Sequence, residues 1–122
     1  MSSGHSIRIE PNPKRRLGGY ARLVFPGVPL EAGGTLVIQR ESDGHYLGDA
    51  GWQPGSAAVQ PDEILREGGD GVMEIGPAVV DHIDTYSLLR IEVPAAGIRT
   101  RVTWPDDIAP SPGQAKAGAI QG

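Results

Sequence analysis

Histidine and carboxylate residues are the side chains of this sequence best suited to chemistry. The three histidines lie at positions 5, 45 and 82, whereas metal sites usually contain a close pair separated by one or three residues. His82 lies between Asp81 and Asp84, but a catalytic histidine needs a paired nucleophile, and the sequence offers none. We therefore interpret this segment as a polar turn and predict no catalytic residue, no metal site and no cofactor.

Other motifs of catalysis and nucleotide binding are absent or have a simpler explanation. The chain has no cysteine and no Gly-x-Ser-x-Gly motif, so thiolate and serine nucleophiles are not expected. Two carboxylate pairs, at 62–63 and 106–107, follow prolines, where solvated polar residues are common. The glycine-rich segment 68–71 contains an aspartate that would repel a phosphate. We predict that the protein is not an enzyme. Weak calcium binding stays open for loop carboxylates at Asp43, Asp49, Asp81 and Asp84.

The six aromatic residues are the most suggestive set. Phe25 and Trp104 fit strand faces, so we assign them to the core. Tyr46 and Trp52 instead flank the flexible segment 48–51, where an aromatic side chain can anchor a protein partner or stack on a sugar. We predict Tyr46 and Trp52 as partner-binding residues; a lid that folds back over the end of the domain is the alternative.

A basic cluster and two apolar residues near the C-terminus complete the predicted partner-binding set. Arg15 and Arg16 follow Lys14 in a loop and can meet an acidic partner or a phosphate, although such charges are often only solvated. Ile108 and Ile120 lie in a segment rich in Pro, Gly and Ala that has little else to bury.

Composition indicates a single small domain built from short strands. The chain has 122 residues, of which 18 are Gly and 11 are Pro, and Val, Ile and Leu recur between them. The net charge of −4 argues against nucleic acid as a partner. Apolar runs are too short for membrane insertion. No signal peptide is visible, so we expect cytoplasmic synthesis; incorporation into a virion or another extracellular particle stays open.

Alternating apolar and polar residues predict antiparallel strands. The segments 86–93 and 98–104 alternate most clearly and predict a hairpin whose arginines lie on the solvent face. Residues 35–40 are β-branched and predict a central strand covered on both faces. The turn Ser42-Asp43-Gly44 joins this strand to a return strand at 45–47. Further strands are predicted at 6–10, 20–25, 57–59 and 72–75, the last continuing through 78–80 after a bend.

The sequence therefore predicts an all-β fold, an antiparallel β-sandwich or small barrel of about seven or eight short strands. At most one short helix is expected, near 62–67, where Asp62 can cap it. We divide the chain into an N-terminal arm (1–5), a β-sandwich domain (6–105) and a C-terminal tail (106–122).

The functional prediction is a non-catalytic structural or interaction subunit of a larger protein assembly. Examples are a phage-type virion decoration or tail component, or a part of a secretion machine. Such a subunit would bind copies of itself or other subunits through its sheet surface and terminal arms. The alternative is a carbohydrate-binding module in which Tyr46 and Trp52 stack on a glycan.

Overall fold

A computed structural model describes residues 7–14, 18–28, 30, 34–109 and 111. Numbered in chain order, its strands are β1 (Arg8–Pro11), β2 (Ala21–Phe25), β3 (Val37–Arg40), β4 (Tyr46–Gly48), β5 (Gly51–Gln53), β6 (Glu63–Glu67), β7 (Asp70–Ile75), β8 (Leu88–Val93) and β9 (Ile98–Thr103). A short helix, α1 (Pro77–Val80), follows β7, and a 3₁₀ turn, Pro94–Ala96, joins β8 to β9.

The strands form two antiparallel sheets that pack on each other as a sandwich. The four-stranded sheet has the order β1-β2-β7-β6, and the five-stranded sheet has the order β5-β4-β3-β8-β9. This confirms the predicted all-β sandwich, with nine strands in the described residues instead of seven or eight. The core contains apolar residues from both sheets, including Phe25, Ile38, Met73 and Trp104. Phe25 and Trp104 are buried there, as predicted.

The hairpin of β8 and β9 confirms the clearest prediction from the sequence. Leu89, Ile91 and Val93 point into the core, and Arg90 and Glu92 alternate with them. Across the ladder Arg99 lies opposite Glu92, with 3.5 Å between its Nε and Glu92 Oε2. The predicted charge pairing on the solvent face is therefore present.

Strand β3 lies at the centre of the five-stranded sheet, as its apolar sequence predicted. Its inner face is buried through Ile38, whereas Val37 and Gln39 on the outer face are only half-buried. The turn into β4 is also as predicted: Asp43 Oδ1 accepts a hydrogen bond from the His45 backbone N–H at 3.1 Å, and Gly44 has a φ of 73°. A side chain that bonds backbone two residues ahead stabilises such a turn locally.

The prediction of a helix near 62–67 is wrong, because these residues form β6. Gly68 and Gly69 have φ values of 62° and 113°, which suit a two-residue hairpin turn. The turn directs β6 back along β7, where Ile64 pairs with Met73 and packs against the core. The capping position of Asp62 favours a helix locally, but a helix of one or two turns is only marginally stable without tertiary contacts. Pairing of the whole segment with β7 is therefore more stabilising than the helix.

The short helix of the protein lies at α1 instead. Residues 78–80 were predicted to continue β7 as a strand, but Pro77 occupies the first turn of a helix, where its missing N–H costs nothing. Val79 and Val80 are buried on the inner side of this helix. The weak strand predicted at 57–59 is reduced to a single bridge between Leu36 and Val59. Strand β5 was not predicted.

The described part of the C-terminal segment packs on the sandwich. Ile108 is 5% exposed and belongs to the hydrophobic core. The Gly19 N–H donates to Ala109 O at 2.7 Å, and Ser111 donates to both carboxylate oxygens of Asp81, from N at 2.8 Å and from Oγ at 2.5 Å. Residues 106–109 are therefore part of the folded unit, and Asp81 anchors the segment that follows.

No helix among the described residues has the length and apolar character needed to span a membrane.

Gly71 gives a direct test of the packing of Val28 and Leu30 against β7. A Cβ atom at Gly71 would lie 2.5 Å from both Leu30 Cγ and Val28 O. We expect Gly71→Ala to lower the free energy of unfolding by about 1–3 kcal/mol, since overpacking forces the neighbours to shift. Gly55→Ala is the matched control, because its nearest neighbour, Gln53 Nε2, would be 3.9 Å away. Urea denaturation measures both, and equal stabilities would contradict this packing.

Candidate functional site

The large apolar side chains that are most exposed in the described chain lie together at one end of the five-stranded sheet. Tyr86 is 66% exposed and Leu88 is 39% exposed. Both line a groove of about 420 Å³ whose other walls are Arg40, Glu41, Ser42 and Ser87. We call Tyr86, Leu88 and this groove the Tyr86 patch. Contiguous exposed apolar surface on a small protein commonly marks an interaction site.

The backbone holds Tyr86 in an unusual conformation. Its φ of 68° lies in the left-handed region, and it is the only non-glycine residue of the described chain with a positive φ. A bulky side chain is uncommon there and is retained only where the surroundings fix it. Here the Tyr86 N–H donates to Trp104 O at 2.8 Å, and the Trp104 N–H donates to Ser87 O at 2.9 Å. The buried Trp104 thus sets the direction of the exposed tyrosine.

The Tyr86 hydroxyl is fixed as well. It donates a hydrogen bond of 2.6 Å to Asp106 Oδ2. This bond, reinforced by the negative charge of the same carboxylate, raises the pKa of Tyr86 above its ordinary value. The phenol therefore stays neutral and oriented over a wider pH range than a free tyrosine.

Trp52 supports the loop that carries Tyr86. Its Nε1–H donates to His82 O at 2.8 Å, and its ring packs against the core. The Arg40 guanidinium lies over the ring, 4.4 Å from its centroid, in a cation–π arrangement. Trp52 is half-buried between these contacts. The predicted role of Trp52 in partner binding and the alternative of a lid both remain predictions.

Arg40 is held in place by Asp43. Its Nε and Nη2 donate to the two carboxylate oxygens at 3.1 and 2.6 Å. These bonds, together with the His45 backbone N–H, lower the pKa of Asp43 from 3.8 to about 2. The pair keeps the guanidinium stacked on Trp52 at the wall of the groove.

Tyr46 and Trp52 lie on opposite faces of their hairpin. Tyr46 pairs with Gln53, whereas Trp52 pairs with the buried Leu47. Because neighbouring residues of a strand point to opposite faces, Tyr46 faces outward while Trp52 faces the core side. The two rings do not form a shared stacking surface, and the segment between them is a tight hairpin, not a flexible loop.

The other predicted partner-binding residues are not part of the Tyr86 patch. Arg15, Arg16 and Ile120 lie outside the described residues. Ile108 is buried in the core, so its side chain stabilises the sandwich.

Three of the carboxylates considered in the sequence analysis make contacts within the protein. Asp81 binds Ser111, Asp43 binds Arg40, and Asp106 accepts from Tyr86. Within the described residues, no three His, Asp or Glu side chains are grouped closely enough to hold a metal ion.

Tyr86 was not predicted as a functional residue; the alternation placed it only at the start of a strand. The available signal was an aromatic residue directly after a polar turn, with a second large apolar residue two positions later. Its exposure depends on the left-handed backbone at this position, and neither composition nor alternation reveals that conformation.

No protein-family model, curated protein or solved structure matches the chain.

The supporting role of Trp52 is tested by Trp52→Phe, which keeps an aromatic ring and removes the hydrogen bond to His82 O. A lost hydrogen bond of about 1 kcal/mol corresponds to about fivefold more frequent local opening. We expect amide hydrogen exchange in residues 81–88 to accelerate by about this factor. Tyr46→Phe, on the outer face of the same hairpin, is the control and should leave these rates unchanged. Unchanged exchange rates in both variants would contradict the role of Trp52 in stabilising this loop.

The Arg40–Asp43 pair is tested by its pH dependence. A carboxyl pKa that is lower in the folded state stabilises the fold above about 3.8, and this stabilisation is lost as the pH falls through about 2. We expect the Asp43 carboxyl carbon to titrate near 2 by NMR and, in Arg40→Gln, to return toward 3.8. Arg90→Gln, which removes a neighbouring arginine that pairs with Glu41, should not move it. A midpoint unaffected by Arg40→Gln would contradict the assignment.

Proposed function

We propose that the protein is a non-catalytic interaction subunit that binds a partner protein through the Tyr86 patch, as part of a larger assembly. The observation that carries this proposal is the position of Tyr86 and Leu88. The two most exposed large apolar side chains of the described chain line the same groove.

The restraint on Tyr86 supports a binding role. Tyrosine loses little side-chain entropy on binding and is common among the residues that dominate interface energetics. The backbone bonds to Trp104 and the hydroxyl bond to Asp106 fix its orientation before a partner arrives. Preorganisation of this kind lowers the entropic cost of association.

Charged pairs surround the apolar centre of the patch. Arg40 is paired with Asp43, and Glu41 lies 3.2 Å from Arg101 Nε and 3.4 Å from Arg90 Nη2. An apolar centre with a charged rim is the usual anatomy of a protein–protein interface. The groove therefore suits an apolar side chain presented by a partner protein. Virion decorations, tail components and secretion machines are the assemblies to examine first.

Site-specific photocrosslinking tests this proposal. A benzophenone amino acid placed at Tyr86 should crosslink one defined partner in an extract of the source cells. The same amino acid at Gln60, an exposed residue that lines a different surface, is the control and should not capture that partner.

The captured partner then allows a quantitative test. Tyr86→Ala and Leu88→Ala should each weaken its binding, the tyrosine change by about 2 kcal/mol or more, which is about thirtyfold in Kd. Thr103→Ala is the matched control, because Thr103 lies opposite Leu88 across the ladder but outside the groove. The proposal fails if position 86 captures nothing specific, or if the partner binds both alanine variants as tightly as the native protein.

A further inference from the structure

The two sheets end in strands of opposite charge. In the described part of the chain, β6 is the last strand of the four-stranded sheet and β9 is the last strand of the five-stranded sheet. Ile64 packs toward the core, so Glu63 and Glu67 lie on the outer face of β6. Arg99 and Arg101 lie on the outer face of β9, with side chains 75% and 59% exposed. We call β6 the acidic edge and β9 the basic edge.

The ladder identifies the backbone groups that point away from the basic edge. The Glu41 N–H donates to Leu88 O at 3.0 Å, so residues 88, 90 and 92 direct their backbone groups toward β3. Residues 89, 91 and 93 then bond to their partners 102, 100 and 98 on β9. The N–H and C=O groups of Arg99, Arg101 and Thr103 consequently point outward from the sheet.

The same reasoning applies to the acidic edge. The two-residue turn at Gly68 and Gly69 makes Glu67 and Asp70 a hydrogen-bonded pair. Alternation along β6 then directs the backbone groups of Ile64 and Arg66 outward.

We propose that the basic edge of one copy of this protein adds in parallel to the acidic edge of a second copy. In a parallel pair, Arg101 lies opposite Leu65. The backbone N–H and C=O groups of Arg101 then bond to the outward backbone groups of Ile64 and Arg66. Arg99 then lies opposite Glu63, and Thr103 lies opposite Glu67. All of these side chains are on outer faces. The two sheets therefore join into one continuous sheet whose inner faces lie on the same side.

The alternative arrangements are disfavoured by geometry or by charge. Antiparallel addition would place outward-directed residues opposite each other, with their side chains on the same face. Ile64 of the inner face would then share a face with the exposed Arg99 and Arg101, so the inner face of one sheet would continue into the outer face of the other. Pairing of two basic edges, or of two acidic edges, would bring like charges together, which is destabilising on neighbouring strands. Charged edge strands protect many proteins from edge-to-edge association, but here the charges leave one pairing electrostatically favourable.

The groove beside the basic edge and the difference between the two edges are both compatible with this contact. A groove of about 330 Å³ lies along the basic edge, between residues 100–103 of β9 and the side chains of Ile7 and Ile9. Because the two edges differ, the contact is heterologous, and repetition produces either a closed ring or an open filament. Arg101 also pairs with Glu41 of the Tyr86 patch, but Arg99 and Glu63, on which the test depends, lie outside this patch, so self-association does not depend on the proposed function.

A charge exchange between Arg99 and Glu63 tests the inference. The wild-type protein should self-associate in sedimentation velocity, with a mass that rises with protein concentration and falls with added salt. Arg99→Glu alone, or Glu63→Arg alone, should weaken self-association about tenfold or more, because each places like charges opposite each other. An equimolar mixture of the two variants should recover association, because each contact between unlike copies then joins opposite charges: the native Arg99 meets the native Glu63 at one contact, and Glu at 99 meets Arg at 63 at the other.

Two control variants distinguish association through these two edges from association through other surfaces. Arg8→Glu changes an exposed arginine on β1, which is a different edge strand, and should leave association unchanged. Tyr86→Ala should also leave it unchanged. A wild-type protein that stays monomeric at millimolar concentration overturns the proposal, as does a mixture that remains as monomeric as its components.

Disulfide trapping gives a second measurement that does not depend on charge. The native chain has no cysteine, so introduced thiols are the only ones present. Arg99→Cys mixed with Glu63→Cys should give a crosslinked dimer on oxidation, and the double variant should give a ladder of higher oligomers. Arg8→Cys mixed with Glu63→Cys is the control. Equal crosslinking in both mixtures would contradict the register.

Discussion

Burial of Trp104 between the two sheets is the packing interaction on which the rest of the structure depends. Its indole is among the largest fully buried side chains and contacts the common core. Loss of such a side chain costs about 3–5 kcal/mol, against a total of about 5–15 kcal/mol for a typical domain. The same residue bonds through its backbone to Tyr86 and Ser87. The position of an exposed tyrosine is thereby tied to the most strongly buried part of the protein.

Aspartates hold the loops of this protein in place. Asp43 accepts from the His45 N–H and from Arg40, Asp70 accepts from the Gly27 N–H at 2.8 Å, and Asp81 accepts from Ser111. Glycine- and proline-rich connections have few side chains with which to stabilise themselves, so a neighbouring carboxylate supplies the missing hydrogen bonds. These three aspartates therefore act as anchors between loops and neighbouring segments.

The parts of the fold that the sequence predicted are those with a clear apolar pattern. Alternation at 86–104 predicted the hairpin. The apolar run at 35–40 predicted a central strand, although the expected cover on both faces was wrong, because the outer face of β3 is only half-buried. The segment 62–67 failed because the decisive partner, β7, pairs with it only after the turn at Gly68 and Gly69. The site was less predictable. Trp52 was singled out, but its contacts with Arg40 and His82 could not be predicted, because they join residues distant in sequence. The exposure of Tyr86 could not be predicted either, because its left-handed backbone leaves no local pattern in the sequence.

The order in which the strands pair has a consequence for folding kinetics. The β8–β9 hairpin closes a loop of a few residues, whereas β2 pairs with β7, so that Ala21 must find Ile75. Loop closure over such a separation is entropically slow, and domains dominated by distant pairings fold in milliseconds to seconds. We expect the hairpin to form early and the four-stranded sheet to close late. A chain refolding from denaturant would then hold β8 and β9 together while β2 still lacks β7, and that interval is when the protein most needs protection from aggregation.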